Sequence, residues 1–300
     1  MADTNTPPIC DYEQSPYRTA FWEGQGRDYE DQSERVALRR LLPPRGRRLL
    51  EVGAGFGRLT NEFDGYDQVI LLDYSTSLLA EARQHLGTSD RYRYVAADIY
   101  RSPIADGCCD AATMIRVIHH MADAPAALQQ VRAALAPGAA FVLEFANKRN
   151  VKAMLRYLLR RQDWSPYDLT PVEFVELNFD FHPRYIAHAL EDTDFDTQRR
   201  LALSYLRVDL LKRIIPTRWL VAIDSILQWS GQIAPFSPSV FTQNIAAGSG
   251  PAGALDGPIF KCPACRSTAL DIQDDRIRCQ QCLNQYVIRD GIYDFKIPIA

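Results

Sequence analysis

Apolar residues fall along this chain in short, nearly unbroken runs separated by longer mixed stretches. RLLEV (48–52), QVILLD (68–73), YRYVAA (92–97), the run opening DAATMIRV (110–117) and GAAFVLEF (138–145) have strand length and strand composition. The intervals between them carry helical patterns. ERVALRRLL (34–42) is stopped by Pro43 and Pro44. Residues 75–86 have Ser75 or Thr76 as a helix cap, and 123–136 end at Pro137-Gly138. Strands alternating with helices predict an α/β fold, a mostly parallel sheet with helices on both faces. Ligands of such sheets bind outside the carboxyl ends of the strands.

The first strand runs into Gly53, Gly55 and Gly57 at alternate positions, preceded by Glu51. Glycines there admit positive φ and let backbone approach a ligand closely. A helix is expected next, with its free N–H groups aimed at the same crevice. The dinucleotide fingerprint Gly-x-Gly-x-x-Gly is not met, because Arg58 occupies its third glycine position. The second strand ends at Asp73, about 20 residues beyond the glycine turn, where a carboxylate can accept from ribose hydroxyls. The third is followed by Asp98 and Ile99, and the fourth runs into Val117, Ile118, His119 and His120.

Glu-x-Gly-x-Gly-x-Gly with these three later motifs, in this order, resembles the class I S-adenosylmethionine (SAM)-dependent methyltransferases over roughly residues 45–147. The resemblance implies a Rossmann-like, doubly wound, mostly parallel seven-stranded sheet with an antiparallel final hairpin. In it, 182–195 would be the helix before the hairpin, and 199–207 and 238–247 its strands. It implies SAM as co-substrate. Glu51, Gly53, Gly55 and Gly57 would lie at the methionine end. Asp73 would hold ribose and Asp98 adenine, with Ile99, Val117 and Ile118 packing near the ring. A leading segment, 1–44, would cover the cofactor or substrate mouth, with Tyr29 as the candidate lid residue and simple packing as its plainer reading.

Residues 149–238 form an insertion longer than sheet closure needs. Within it, 210–229 is broadly apolar at helical spacing, and Pro216 divides it into two helices. The plainer reading is a helical pair packed on the core. The functional readings are a lid over an apolar substrate pocket or, with Arg207, Lys212, Arg213 and Arg218 nearby, a peripheral membrane contact through 207–229. Residues 45–246 are thus expected to form the methyltransferase domain. A Gly- and Pro-rich linker at 247–258 leads to a small module at 259–300.

That module holds Cys262-x-x-Cys265 and Cys279-x-x-Cys282, with 13 residues between the pairs. Four soft thiolates in two knuckles fit a closed tetrahedral site for structural Zn²⁺, with iron as the alternative. About 40 residues cannot readily build a core, so the metal should supply stability. CPACRS with CLNQYVIRDGIYDF resembles the zinc-ribbon activator subunits of RNA- and release-factor-modifying methyltransferases. Leu283 and Asn284 depart from the glycine common after the last cysteine, and Tyr293 from a common proline.

A net charge of −3 gives no footprint for nucleic acid. The N-terminal residues carry no secretory pattern and no run is long enough to span a bilayer. A cytoplasmic location follows as the expectation, with the seven cysteines as free thiols or ligands. Cys108 and Cys109 read as small buried residues and Cys10 as part of a tail. His119 and His120 follow the fourth strand, where an imidazole suits proton removal from a hydroxyl acceptor. The preferred function is methyl transfer to a small, apolar acceptor. An RNA or protein acceptor is the alternative, against which stand the missing Asn-Pro-Pro-Tyr type motif and the lack of basic charge. A non-catalytic SAM-binding or zinc scaffold is the third reading.

Overall fold

The computed structural model describes residues 7–248 and 254–299. Residues 1–6 of the leading segment, 249–253 of the expected linker and 300 lie outside the described residues. In chain order, the first elements are α1 (Tyr17–Phe21), α2 (Asp28–Leu41), β1 (Gly46–Val52), β2 (Tyr66–Asp73), α3 (Thr76–Leu86), β3 (Tyr92–Ala96) and β4 (Cys109–Met114). There follow α4 (Ala124–Ala134), β5 (Leu135–Ala146), α5 (Val151–Leu158), β6 (Val172–Val175), β7 (Asn178–Asp180), α6 (Pro183–Glu191) and β8 (Phe195–Leu203). The chain closes with α7 (Asp209–Ile214), α8 (Thr217–Leu227), β9 (Ser239–Ala246), β10 (Leu270–Ile272), β11 (Arg276–Cys279), β12 (Gln285–Arg289) and β13 (Ile292–Ile299).

Seven strands follow the order β3-β2-β1-β4-β5-β9-β8. The first five are parallel, and β9 runs antiparallel between β5 and β8. This is the expected parallel core with an antiparallel final pair. The five-residue run Leu49–Leu50–Glu51–Val52 with Arg48 is buried throughout, as a strand covered on both faces requires. The sheet is also longer than the resemblance implies. The four C-terminal strands continue it to eleven, in the order β10-β11-β12-β13, with β13 pairing parallel to β3 (Ile292 opposite Tyr94, Asp294 opposite Ala96). Otherwise β3 would be an edge with open N–H and C=O groups. Phe260, Cys262, Ile277, Cys279, Tyr286 and Phe295 belong to the same buried cluster as Leu50, Ile70, Val95 and Phe141.

Three local expectations are corrected. No α-helix follows the glycine turn. Only a 3₁₀ segment, Thr60–Phe63, lies between it and β2, and the few residues available before Gly65 leave no length for an α-helix. The N–H groups at the crevice therefore come from the turn itself. Tyr29 is no lid: it is buried at 1% exposure, donates to Asp224 Oδ1 (2.7 Å) and accepts from Leu206 N (3.1 Å). Pro216 does split the apolar segment into α7 and α8, but the pair is not packed away. Only Leu220 and Asp224 of α8 are buried, and α7 buries none of its residues.

Candidate cofactor cleft and metal centre

The carboxyl ends of β1, β2, β3 and β4 meet in one cleft. Its wall includes Val52, Gly53, Gly55, Asp73, Ala97, Ile99, Arg116 and Val117. β1 leads into the turn, where Gly53 N and Ala54 N donate to Leu72 O (2.7 and 3.1 Å) and lock the turn to β2. Gly53 has φ +66°, and a Cβ there would lie 2.1 Å from Val117 Cγ2. Gly55 has φ +53° and no atom within 4 Å of where a Cβ would stand. One glycine is thus fixed by packing, and the other leaves its space open at the cleft. Gly57 packs against Leu86, Ala82 and Thr60 instead.

Asp73 ends β2 with Oδ2 accepting from Gly55 N (2.7 Å) and Oδ1 from Ser75 N (2.9 Å). Burial raises its pKa, opposed by these N–H donors. Ser75 caps α3 by accepting from Leu78 N, as expected. Asp98 accepts from Tyr100 N (2.8 Å) and lines a neighbouring chamber with Tyr74, Tyr286 and Lys296, while Ile99 faces the cleft itself. Ile118 is fully buried in the core, so Val117 supplies the wall at this point and Ile118 supports it from beneath.

Glu51 lies in an adjoining recess with Trp22, Arg58, Thr113 and Arg116. Its Oε2 accepts from Thr60 Oγ1 (2.6 Å), and burial pushes its pKa up to about 7. The two arginines were not singled out from the sequence. Both bind the buried Glu34: Arg58 Nη2 at 2.7 Å, and Arg116 through Nε at 2.7 Å and Nη2 at 2.5 Å. Their guanidiniums lie 3.7 and 5.0 Å from the centroid of Trp22. Burial alone would raise the Glu34 pKa, and the two guanidiniums outweigh it and hold Glu34 below the usual carboxylate range. Arg116 takes φ +60°, the left-handed region, two residues beyond the end of β4. Arg58 signalled itself only as the residue standing where the fingerprint requires glycine.

The cleft mouth is covered by Ile9, Cys10, Tyr12 and Tyr17. The leading segment is tied down by Glu13, whose carboxylate accepts from Thr76 N (2.7 Å) and Ser77 N (3.1 Å) at the start of α3. Tyr12 meets His120, with its hydroxyl 3.3 Å from Nε2. On the other side, His120 Nδ1 lies 2.9 Å from Leu177 O, in the turn between β6 and β7. A carbonyl can only accept, so Nδ1 carries the proton and Nε2 presents its lone pair to Tyr12 and the cleft. Burial lowers the His120 pKa. His119 packs against His120, ring centroids 4.1 Å apart and planes tilted by 49°, and is pushed well below the usual range by burial, but it does not line the cleft.

At the C-terminal end, the Sγ atoms of Cys262, Cys265, Cys279 and Cys282 all lie within 4.8 Å of one another. The Cys262–Cys282 and Cys265–Cys279 pairs are 3.6 and 3.5 Å apart. These separations exceed a disulfide's roughly 2.05 Å. They approach the roughly 3.8 Å edge of a tetrahedron with Zn–S bonds of about 2.3 Å. Arg266 and Leu283, each directly after a knuckle, have φ +64°. Leu283 therefore holds the left-handed position that glycine often fills. The module is anchored by Lys261 N to Pro103 O (2.7 Å), Ala105 N to Ile259 O (2.8 Å) and Lys261 Nζ to Asp106 (2.5 Å).

Residues 50–143 match the family model described as a methyltransferase domain. The segment is 33% identical over 109 residues to the O-methyltransferase cnsE of Penicillium expansum, covering 35% of this chain and 40% of that protein. It is 32% identical over 111 residues to a demethylmenaquinone methyltransferase of Beutenbergia cavernae, covering 36% and 45%. The matches span less than half the length of these curated relatives. Among solved structures, an S-adenosylmethionine-dependent methyltransferase from Mesorhizobium loti superposes with TM-score 0.52 at 21% identity, over 72% of this chain and 99% of that one. A chain from the complex of the Haloferax volcanii Trm112 methyltransferase activator with a methyltransferase gives TM-score 0.52 at 16% identity, over 75% and 95%. The fold and cleft define a Rossmann-like methyltransferase domain. Residues 50–143 are a methyltransferase domain of the class I SAM-dependent type, and the C-terminal region carries a four-cysteine cluster that fits a zinc ribbon.

Proposed function

We propose that the chain transfers a methyl group from SAM to a small, apolar acceptor. The observation that carries this reading is the cleft: an open glycine turn tied to Asp73, continuous with a mouth of Ile9, Tyr12, Tyr17 and Met121. The names of relatives matched over part of their length, an O-methyltransferase and a demethylmenaquinone methyltransferase, accord with small-molecule acceptors.

When bound, SAM supplies a methyl group on a cationic sulfur, an already activated electrophile. The chain then has to bind, orient and exclude water. Gly53 and Gly55 bring backbone to the ligand. Asp73 would take the ribose hydroxyls, and Asp98 with Ile99 the adenine, Val117 adding apolar wall. Glu51 would hold the amino end of the methionine moiety, and Arg58 and Arg116, in the same recess and bound to Glu34, would lend positive charge toward its carboxylate. His120 is the base for a hydroxyl acceptor: Leu177 O holds Nδ1–H, and Nε2 takes the acceptor's proton where the Tyr12 hydroxyl now sits. His119, the other candidate base, has no contact with the mouth and serves to pack His120. Zn²⁺ in the four-thiolate site is structural, since no coordination position is left for water. A reducing cytoplasm suits seven cysteines that form no disulfide.

The test is incubation with methyl-labelled SAM against a metabolite extract and against an RNA and protein extract. Label in an organic-soluble small molecule is the expected result. Label in macromolecules alone would overturn the acceptor class. For His120→Gln, the expected result is a large fall in kcat and loss of the acid limb of the pH–rate profile. An unchanged profile removes His120 as base.

A further inference from the structure

A strongly basic stretch of the chain lies outside the cleft, around α5. Residues 148–161, KRNVKAMLRYLLRR, hold six Lys and Arg and no Asp or Glu, in a chain whose net charge is −3. Lys148 is buried and paired with Asp168, and Arg149 lies over Phe236. Lys152, Arg156, Arg160 and Arg161 are exposed, with no carboxylate partner among the described residues.

The apolar residues of this helix face the wrong way for a soluble surface helix. Val151, Leu155, Leu158 and Leu159 recur at one face of a helical repeat, about 100° per residue. Ala153, the one buried residue of α5, sits on the opposite face. Leu155, Leu158 and Leu159 are 53, 76 and 59% exposed. An aliphatic stripe turned to solvent and flanked by unpaired cations is the pattern of a helix lying in a lipid interface. Nucleic acid would satisfy the charges but not the leucines.

This surface is joined to the cleft. Tyr157 of α5 packs on Tyr167 (6.1 Å), and Trp164 packs on Phe174 of β6 (5.5 Å). The β6–β7 turn then holds His120 through Leu177 O. Phe174 and Val175 are also exposed. Around α7 and α8 the cations are fewer and partly engaged: Glu30 takes Lys212 at 2.5 Å and Arg207 at 3.4 Å, which leaves Arg213 and Arg218 exposed there against the four around α5.

We propose that α5 and its basic flank dock the protein on an anionic lipid bilayer, with the β6–β7 hairpin beside it bringing the cleft mouth to the membrane surface. The docking stands on charge and apolar exposure alone. Its consequence, that a lipid-dissolved acceptor enters the cleft from the bilayer, rests on the proposed methyl transfer.

The experiment is co-sedimentation of the full chain with phosphatidylcholine vesicles, with and without phosphatidylglycerol, at low and high salt. The expected result is binding to the anionic vesicles only, weakened by salt. At least a tenfold loss is expected in Arg156→Glu/Arg160→Glu/Arg161→Glu and in Leu155→Ser/Leu158→Ser/Leu159→Ser. All six side chains are exposed, so the melting temperature and the affinity for S-adenosylhomocysteine should stay at wild-type values, which verifies folding. Ile223→Ser/Ile226→Ser on α8 should bind vesicles normally. Four results would overturn the proposal: no binding of wild type to anionic vesicles, binding retained in both triple variants, binding to homopolymeric RNA without vesicle binding, or a dimer that the leucine variant dissociates. If vesicles bind as expected but S-adenosylhomocysteine does not, docking stands and the methyltransferase reading falls.

Discussion

Two alanine substitutions in the glycine turn separate packing from ligand space. Both positions are left-handed, φ +66° at Gly53 and +53° at Gly55, so a Cβ costs about 1–2 kcal/mol at either. At Gly53 it would also lie 2.1 Å from Val117 Cγ2, far inside the 3.5–4.0 Å of ordinary carbon contact. Val117 must move by more than about 1 Å, and such overpacking adds roughly 1–3 kcal/mol. At Gly55 nothing stands within 4 Å, so no packing cost is added. With about 2.1 cal/mol/K of unfolding entropy per residue over 300 residues, one kcal/mol moves the melting temperature by roughly 1.6 °C. Gly53→Ala should therefore lower it by about 3–8 °C and Gly55→Ala by about 2–3 °C. Affinity should reverse the emphasis. Gly55→Ala places its methyl in the space kept for the ligand and should weaken S-adenosylhomocysteine binding at least about tenfold, 1.4 kcal/mol, at near-normal stability. Differential scanning fluorimetry and titration calorimetry read both quantities. Wild-type affinity in Gly55→Ala would refute the reasoning, as would a larger stability loss there than in Gly53→Ala.

Glu51 gives a pH signature. Its folded pKa of about 7 lies above the ordinary carboxylate value, so the unliganded fold binds the extra proton, and its contribution to stability falls as pH rises from about 4.5 through 7. An incoming ammonium favours the ionised form, so affinity for S-adenosylhomocysteine should rise from pH 6 to pH 8, and Glu51→Gln should flatten that rise. His119 and His120 act in the opposite sense: burial lowers both, so stability is lost as pH falls below about 6.5. Their joint substitution by Gln should reduce that acid loss in thermal melts between pH 5 and pH 8. Stripping metal with a strong chelator, or Cys279→Ser, should lower a single calorimetric transition of the whole protein. The buried cysteines belong to the same core as β1 to β5. Two independent transitions with the upper one unmoved would contradict that shared core.

Local signals were legible in the sequence wherever a short stretch decides the outcome. The five parallel strands, the Ser75 cap, the break at Pro216 and the paired Cys-x-x-Cys knuckles each follow from a few neighbouring residues. What escaped was set by distant partners. β13 chooses β3 as its neighbour because β3 would otherwise be an open edge, and nothing within 292–299 declares that choice. The Glu34–Arg58–Arg116–Trp22 cluster assembles from four separated segments, so none of its members stands out alone. Tyr29 illustrates the converse: its place in the leading segment suggested a lid, but the plainer packing reading holds, because Asp224, 195 positions on, takes its hydroxyl into the interior. Only the fold shows that the apolar stripe of α5 faces outward, since helical periodicity marks an apolar face without saying which way it turns.

The account stands most directly on whether the cleft holds an adenosyl sulfonium. Titration calorimetry of the purified full chain with SAM and with S-adenosylhomocysteine should give saturable binding at one site per chain, lost in Asp73→Ala, whose carboxylate grips Gly55 N and faces the cleft. An absence of heat, together with no thermal shift from either ligand, would contradict it.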